Sequence, residues 1–274
     1  MNIHIPDQFN FEQSEEYILS IRLEPDGFSF SIQDSTAPKK FFFHRTLLNK
    51  SLSYEENFKE FFFANEFLSA QYKKVRIISC SKQYTLVPYE AMREGAETIY
   101  YSFCFDDDES VVLRNSLKEL NLEIVFSLSA GLYEFCSRSF LAPQYIHHIA
   151  PEIRSTEKSS VNSDRKQLSV FIDGKMLDIV SMHKRELQFA NSYSFDQLQD
   201  ILYFITNVWK QQAMDQINDE LLIHAPNAVR VRLKEVLKVY FKNIRDIQTP
   251  SEHFFATKGF PNLPYDIQTL SLCE

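Results

Sequence analysis

The alternation of apolar and polar residues predicts a first series of β-strands. Residues 17–23 and 28–32 alternate on either side of Pro25-Asp26-Gly27, and a third strand-like run occupies 41–45. Period-two alternation predicts strands with one buried face, and Asp-Gly between two such runs is typical of a tight hairpin, because glycine accepts a positive φ. We therefore expect three antiparallel strands, with a fourth strand at 75–80.

A helix is predicted between the third and the fourth strand. Ser53, followed three residues later by Glu56, has the capping-box pattern of a helix start. Large apolar side chains then recur at the spacing of one helical face, at Tyr54, Phe58, Phe61, Phe62 and Leu68.

The same order of elements is predicted a second time, which indicates an internal duplication. A helix with a long apolar stripe again follows three strands and an Asp-Gly turn. The elements of this second series are strands at 167–172, 175–181 and 185–190 with the turn Asp173-Gly174, a helix capped by Ser194 with Gln197, and a strand at 221–224.

A polar segment at 151–166, PEIRSTEKSSVNSDRK, separates the two series and is typical of a linker. We therefore expect two domains, at 1–160 and 161–274. Each domain carries additional predicted elements. They are strands at 84–88, 98–105, 111–113 and 122–128, a helix from Ser129 to Leu141, a helix opened by Pro226, and an irregular tail at 250–274.

Three antiparallel strands, a helix and a parallel strand open a ribonuclease-H-like domain. Two such domains in tandem resemble the actin-like ATPase fold of sugar kinases, chaperone ATPase domains and pilus-assembly proteins. The chain also resembles a mainly Bacteroidetes family of unknown function, through YTLVP at 84–88, LQFANSY at 187–193 and LYF at 202–204. The implied fold class is α/β with mixed sheets, arranged as two ribonuclease-H-like domains in actin-like ATPase architecture.

The resemblance implies two phosphate-binding hairpins, each with an aspartate at the end of the first strand and small residues after it. In the first hairpin, Asp26 and Gly27 stand between Pro25, which has no backbone N–H, and the bulky Phe28. This hairpin departs from the pattern of a phosphate loop.

The second hairpin contains Asp173, Gly174 and Lys175, with no further glycine or run of hydroxyls. It is either a remnant of a phosphate loop or a plain turn. With 5 glycines, the chain cannot form three phosphate and adenosine loops in their usual form.

Composition limits the classes of function. The chain has 274 residues, 44% of them hydrophobic, and a net charge of −8, so it can form a core but has no excess of basic residues for general nucleic-acid binding. Its 4 cysteines form no C-x-x-C pair, and we expect them to be reduced. The N-terminus has no signal-peptide pattern, and no apolar run approaches the length of a membrane span, so we expect a cytoplasmic protein.

We expect a non-catalytic binding or assembly module with protein partners, acting through an interdomain cleft or an exposed sheet edge. No catalytic residue, metal ligand or cofactor is predicted. Two alternatives stay open: a divergent nucleotide-binding protein and a self-associating structural protein. The residues of the nucleotide-binding alternative are Asp26, Gly27, Asp173, Gly174 and Lys175.

Overall fold

The computed structural model describes residues 3–37, 39–106, 109–161, 163–248, 260 and 262–273. These residues divide into a first unit that ends at His148 and a second unit that begins at Ile149. The predicted domain boundary at 160/161 lies at the end of the first helix of the second unit.

The first unit contains two sheets. Its strands are β1 (Tyr17–Glu24), β2 (Gly27–Asp34), β3 (Phe41–Leu47), β4 (Lys74–Ser79), β5 (Tyr84–Pro88), β6 (Ser110–Leu117), β7 (Leu122–Ser129) and β8 (Gln144–His147). The larger sheet has the order β3-β2-β1-β4-β8, in which β1, β4 and β8 run parallel and the hairpin strands antiparallel. The smaller sheet has the order β5-β7-β6.

The α-helices of the described part of this unit are α1 (Tyr54–Phe63), α2 (Glu97–Cys104) and α3 (Ala130–Ser139). Leu19, Ile21 and Leu23 point from β1 into a core that also contains Phe58 of α1 and Leu132 of α3. The predicted capping box at Ser53 and the predicted cap at Ser129 are both confirmed.

The strand predicted at 98–105 is wrong, because this segment forms α2. Its aromatic residues favour a strand locally. In the fold they place Tyr101 against Val87 and Val125 of the smaller sheet, and the Tyr101 hydroxyl lies 2.7 Å from Ser127 Oγ. Tertiary packing therefore overrides the local preference.

The first hairpin is confirmed, but the predicted reason for Gly27 is wrong. Glu24 pairs with Gly27, so Pro25 and Asp26 form the turn and Gly27 begins β2 without a positive φ. A Cβ at Gly27 would lie 2.3 Å from the Thr46 carbonyl oxygen. Glycine is required here by the close approach of β3.

The second unit repeats the order of the larger sheet. Its strands are β9 (Gln167–Asp173), β10 (Met176–His183), β11 (Glu186–Ser194), β12 (Glu220–His224) and β13 (Asn243–Asp246), in the order β11-β10-β9-β12-β13. Its helices are α4 (Ile149–Ser160), α5 (Leu198–Gln211), α6 (Asn227–Leu237) and α7 (Tyr265–Thr269). The predicted common order of elements in the two series is confirmed.

The linker predicted at 151–166 is wrong over most of its length, because α4 occupies Ile149–Ser160 and is largely buried. Several of its hydroxyls bond within the helix, as Thr156 Oγ1 donates to the Glu152 carbonyl oxygen at 2.9 Å, and Ser155 Oγ lies 2.6 Å from Tyr265 Oη of α7. Arg185 Nε donates to the buried Glu157 carboxylate at 2.8 Å. The polar composition therefore reflects buried hydrogen bonds.

Two further predictions need correction. The cap of α5 is Gln197 with Asp200, because Ser194 is still the last residue of β11. The described part of the predicted irregular tail contains the buried helix α7, while 250–259, 261 and 274 lie outside the described residues. Within the part of the chain that the structure describes, no helix is long and apolar enough to cross a membrane.

The edge of the larger sheet in the first unit is closed by one side chain. Asn115 of β6 donates from Nδ2 to the Tyr145 carbonyl oxygen at 2.8 Å and accepts from the His147 N–H at 2.7 Å. The amide thereby binds two of the backbone groups that a further strand would bind, and it blunts an edge that could otherwise pair with another chain.

We predict that Asn115→Ala lowers the free energy of unfolding by about 1–3 kcal/mol, because two backbone groups of β8 lose their partner. Hydrogen exchange of the His147 amide should accelerate. Asn115→Asp keeps an acceptor for the His147 N–H but sets an oxygen against the Tyr145 carbonyl oxygen, so the His147 amide should stay more protected than in Asn115→Ala. Unchanged exchange at His147 in Asn115→Ala would contradict this role.

Substitution of Gly27 and Gly174 tests whether the two glycines are required for different reasons, a close contact at Gly27 and a positive φ at Gly174. Gly27→Ala places a Cβ against backbone and should destabilise by about 3 kcal/mol. Gly174 has a φ of +56° with open space around it, so Gly174→Ala should cost only about 1 kcal/mol of conformational strain. If both variants lose the same free energy of unfolding in urea, the contact with the Thr46 carbonyl does not determine the cost at Gly27.

Candidate functional site

The carboxylate at the end of β1 is neutralised within the first unit. Glu24 is buried and accepts from Arg22 Nη1 at 3.0 Å, Arg45 Nε at 2.9 Å and Ser29 Oγ at 2.5 Å. Two guanidinium groups and a hydroxyl therefore surround the carboxylate at the end of β1, where the resemblance led us to expect a phosphate hairpin.

The backbone after this carboxylate is also covered. The Thr46 carbonyl lies against Gly27, and Tyr54 Oη donates to the Gly27 carbonyl oxygen at 3.2 Å. Burial raises the pKa of Tyr54 well above its ordinary value, so the phenol stays protonated. The Asp26 carbonyl oxygen accepts from the Leu48 N–H at 3.2 Å, and Asp26 itself lies exposed in the turn.

A second internal carboxylate lies at the start of α3. Glu55 Oε1 accepts from Ser129 Oγ at 2.9 Å, and a Cβ at Gly131 would lie 2.2 Å from Glu55 Oε2. The N-terminus of a helix attracts anions because of its free N–H groups and its dipole. Here a side chain of the chain itself fills that place.

The second hairpin is more open. Asp173 pairs with Met176, so Gly174 and Lys175 form the turn, and Gly174 has a φ of +56° with nothing within 4 Å of an added Cβ. Lys175 Nζ donates to the Asp196 carbonyl oxygen at 2.8 Å, which holds the ammonium at the hairpin flank. The turn backbone at Gly174 is accessible to a ligand.

Three parallel strands of the second unit end in polar side chains: Asp173 of β9, His224 of β12 and Asp246 of β13. Burial, and then the charge of Arg230, lower the pKa of His224 to about 4, while the two carboxylates partly oppose this shift. His224 is therefore neutral at pH 7.

The positive charges of α6 at this edge are matched by Asp246. Lys234 Nζ lies 3.0 Å and Arg230 Nε 3.8 Å from Asp246 Oδ1. Over the described ranges of the chain, no group of three or more histidine, cysteine, aspartate or glutamate side chains is arranged to hold a metal ion.

The structure thus places Asp26 and Gly27 next to each other at the β1–β2 hairpin, and Asp173, Gly174 and Lys175 at the β9–β10 hairpin. Sequence reasoning missed the Glu24 network. Its signal was the alternation of Ser20, Arg22 and Glu24 with apolar residues in β1, since charged side chains on an inner strand require buried partners.

The comparisons with known proteins place the chain among actin-like folds. The crystal structure of a Bacteroides thetaiotaomicron protein with an actin-like ATPase fold and unknown function is 27% identical, with a TM-score of 0.83, over 97% of this chain and 99% of that one. A chain of the PilM–PilN type IV pilus biogenesis complex is 13% identical, with a TM-score of 0.55, over 94% of this chain and 98% of that one. No curated protein matches the sequence.

The fold is therefore the predicted actin-like ATPase architecture. A family model described as "Protein of unknown function (DUF3822)" matches residues 6–244, which is most of the chain. The chain belongs to this family.

Proposed function

We propose that this chain is a non-catalytic, cytoplasmic binding or assembly module that has kept an actin-like frame without its phosphate loops. The observation that carries the proposal is Glu24, whose carboxylate is buried between Arg22 and Arg45. A carboxylate that is already matched by two guanidinium groups is not free to order the water shell of a magnesium ion.

The energetic cost of opening this network supports the proposal. Removing one partner of a buried ion pair costs about 3–5 kcal/mol, because a charge is left uncompensated. A phosphate at the first hairpin would have to take Arg22 or Arg45 away from Glu24, and would meet the Thr46 carbonyl and Tyr54 at Gly27. Nucleotide binding there would therefore begin with a large penalty.

A protein partner is the ligand class that this frame serves best. A chain of the PilM–PilN complex has a related fold and comes from a protein–protein assembly. In this chain, large apolar side chains are exposed on helices of both units, including Phe103 of α2 and Tyr203 of α5. Such side chains contribute to protein interfaces and have no role in phosphate binding.

We predict that isothermal titration of the full chain with Mg·ATP or Mg·ADP gives no saturable heat in the micromolar range. The physical reason is the closed first hairpin. A stoichiometric heat with a micromolar Kd, lost in Arg45→Ala or Asp26→Asn, would refute the proposal.

The second hairpin favours one competing function, a divergent nucleotide-binding protein. Gly174 offers an accessible backbone at the end of β9, next to Asp173. If this function holds, Mg·ATP should bind and Asp173→Asn should weaken it at least tenfold, whereas Asp26→Asn should leave the affinity unchanged. Absence of binding to the unmodified chain excludes this function.

A further inference from the structure

A polar cavity of about 250 Å³ lies in the second unit, on the face of the sheet opposite to α5 and α6. Leu222 of β12 pairs with Ser169 of β9 and with Arg245 of β13, so these three side chains lie side by side on that face. The walls are formed by Ser155 and Ser159 of α4 and by Tyr265 of α7. We call this feature the Ser169 cavity.

The two faces of the same strands differ in chemistry. On the face that packs against α5 and α6, the residues of β9 and β12 are apolar, as at Val170 and Leu221. On the cavity face, the alternate positions are taken by Gln167, Ser169 and Glu220, and all three are buried. Burying a polar group costs free energy unless it is hydrogen-bonded, so each of these side chains requires a partner.

Ser169 contributes a hydroxyl that has no such partner. The residue is 1% exposed and lines the cavity, and its side chain forms no hydrogen bond with any other residue that the structure describes. Leaving a buried hydroxyl unsatisfied costs about 1–3 kcal/mol. A molecule in the cavity that presents a hydroxyl or carbonyl group would remove this cost.

The charged groups at the cavity are already matched. The Glu220 carboxylate lies 3.1 Å from Arg245 Nη2 and 3.3 Å from Arg165 Nη1, and it also accepts from Gln167 Nε2 at 3.1 Å. Both guanidinium groups are at least half exposed, so water solvates the charge that Glu220 does not compensate. A charged ligand would compete with this network, and a neutral ligand would leave it intact.

The hydroxyls of the walls keep further capacity for hydrogen bonds. Ser155 Oγ lies 2.6 Å from Tyr265 Oη, and Ser159 Oγ donates to the Thr156 carbonyl oxygen at 2.8 Å. Because a hydroxyl has one donor and two lone pairs, each of these groups can still accept a bond. Together with Ser169, the cavity therefore offers donors and acceptors close to each other, which suits ligand groups that both donate and accept.

We propose that the Ser169 cavity binds a small neutral polyol. A cavity of about 150 Å³ holds one benzene molecule, so the volume here has room for a six-membered ring that carries hydroxyl groups. Those hydroxyls would bond to Ser169 and to the wall residues, and the C–H surface would lie against Phe171 and Leu222, which also line the cavity. The inference goes beyond the proposed partner-binding function, because it concerns a small molecule.

A ligand screen on the full chain tests the chemical class. Equal numbers of neutral polyols, carboxylic acids, amines and apolar aromatic compounds, with myo-inositol among the polyols, are measured by saturation-transfer-difference NMR. We expect saturable binding among the neutral polyols. Thermal shift is unsuitable as the main readout, because polyols stabilise folded proteins by exclusion from their surface, without a site.

Matched variants locate the binding. Ser169→Ala should weaken the binding of the polyol about fivefold, the loss of one hydrogen bond, and should not lower the melting temperature, because no bond within the chain is lost. Ser159→Phe places a ring at an exposed position of the cavity wall and should abolish binding. Lys158→Phe, at the neighbouring exposed position of α4, is the matched control and should bind as the unmodified chain does. Circular dichroism establishes that each variant folds.

Three results would overturn the inference. They are no polyol that binds, which leaves the cavity to water, hits that are mainly charged or apolar compounds, and polyol binding that persists in Ser159→Phe. None of these outcomes depends on the Mg·ATP titration or on a protein partner. A failure of the Ser169 cavity is therefore distinguished from a failure of the proposed function.

Discussion

A buried carboxylate must be matched by positive charge or hydrogen bonds, and Glu24 imposes this condition on the first unit. Its partners Arg22, Ser29 and Arg45 stand in one row across three strands, because Arg22 pairs with Ser29 and Ser29 pairs with Arg45. A shift of one residue in the register would turn these side chains to the opposite face and leave the carboxylate unmatched. The same interaction thus supports the register of the hairpin and pairs the carboxylate at the end of β1 with partners from its own sheet.

The second unit has the same strand order but different chemistry in the corresponding row. There Phe171 pairs with Asp178, and Asp178 pairs with Ser192, whose hydroxyl bonds to the Asp178 carboxylate. This row contains no guanidinium group that reaches back to the end of β9. The two copies therefore share a backbone plan, while the charges that decide what each hairpin can bind have diverged.

Local pattern was sufficient to predict the elements whose signals are local. The hairpins, the Ser53 cap and the parallel fourth strands follow from alternation, turn residues and side-chain spacing. The failures occur where distant residues decide. The segment 98–105 is helical and packs Tyr101 against β5 and β7, and 151–160 is a buried helix in which Ile153 lies in the interior and Glu157 is paired with Arg185.

The candidate site shows the same difference between local signals, which the sequence reveals, and contacts between distant residues, which it does not. Asp26, Gly27, Asp173 and Gly174 could be named from their turns, but whether each turn is covered depends on Thr46, Tyr54 and Arg45, which no spacing links to them.

The contacts that hold this actin-like frame together lie within the chain. Backbone hydrogen bonds hold the strands together in sheets. Apolar side chains from α1, α3, α5 and α6 fill the cores, and an internal ion-pair network stabilises the first hairpin. None of these contacts requires a bound phosphate. Since a ligand that binds only the folded state adds stability but is not the source of the fold, the frame is free to change its ligand class. Selection can then act on the helix surfaces, where large apolar side chains such as Phe103 and Tyr203 are exposed.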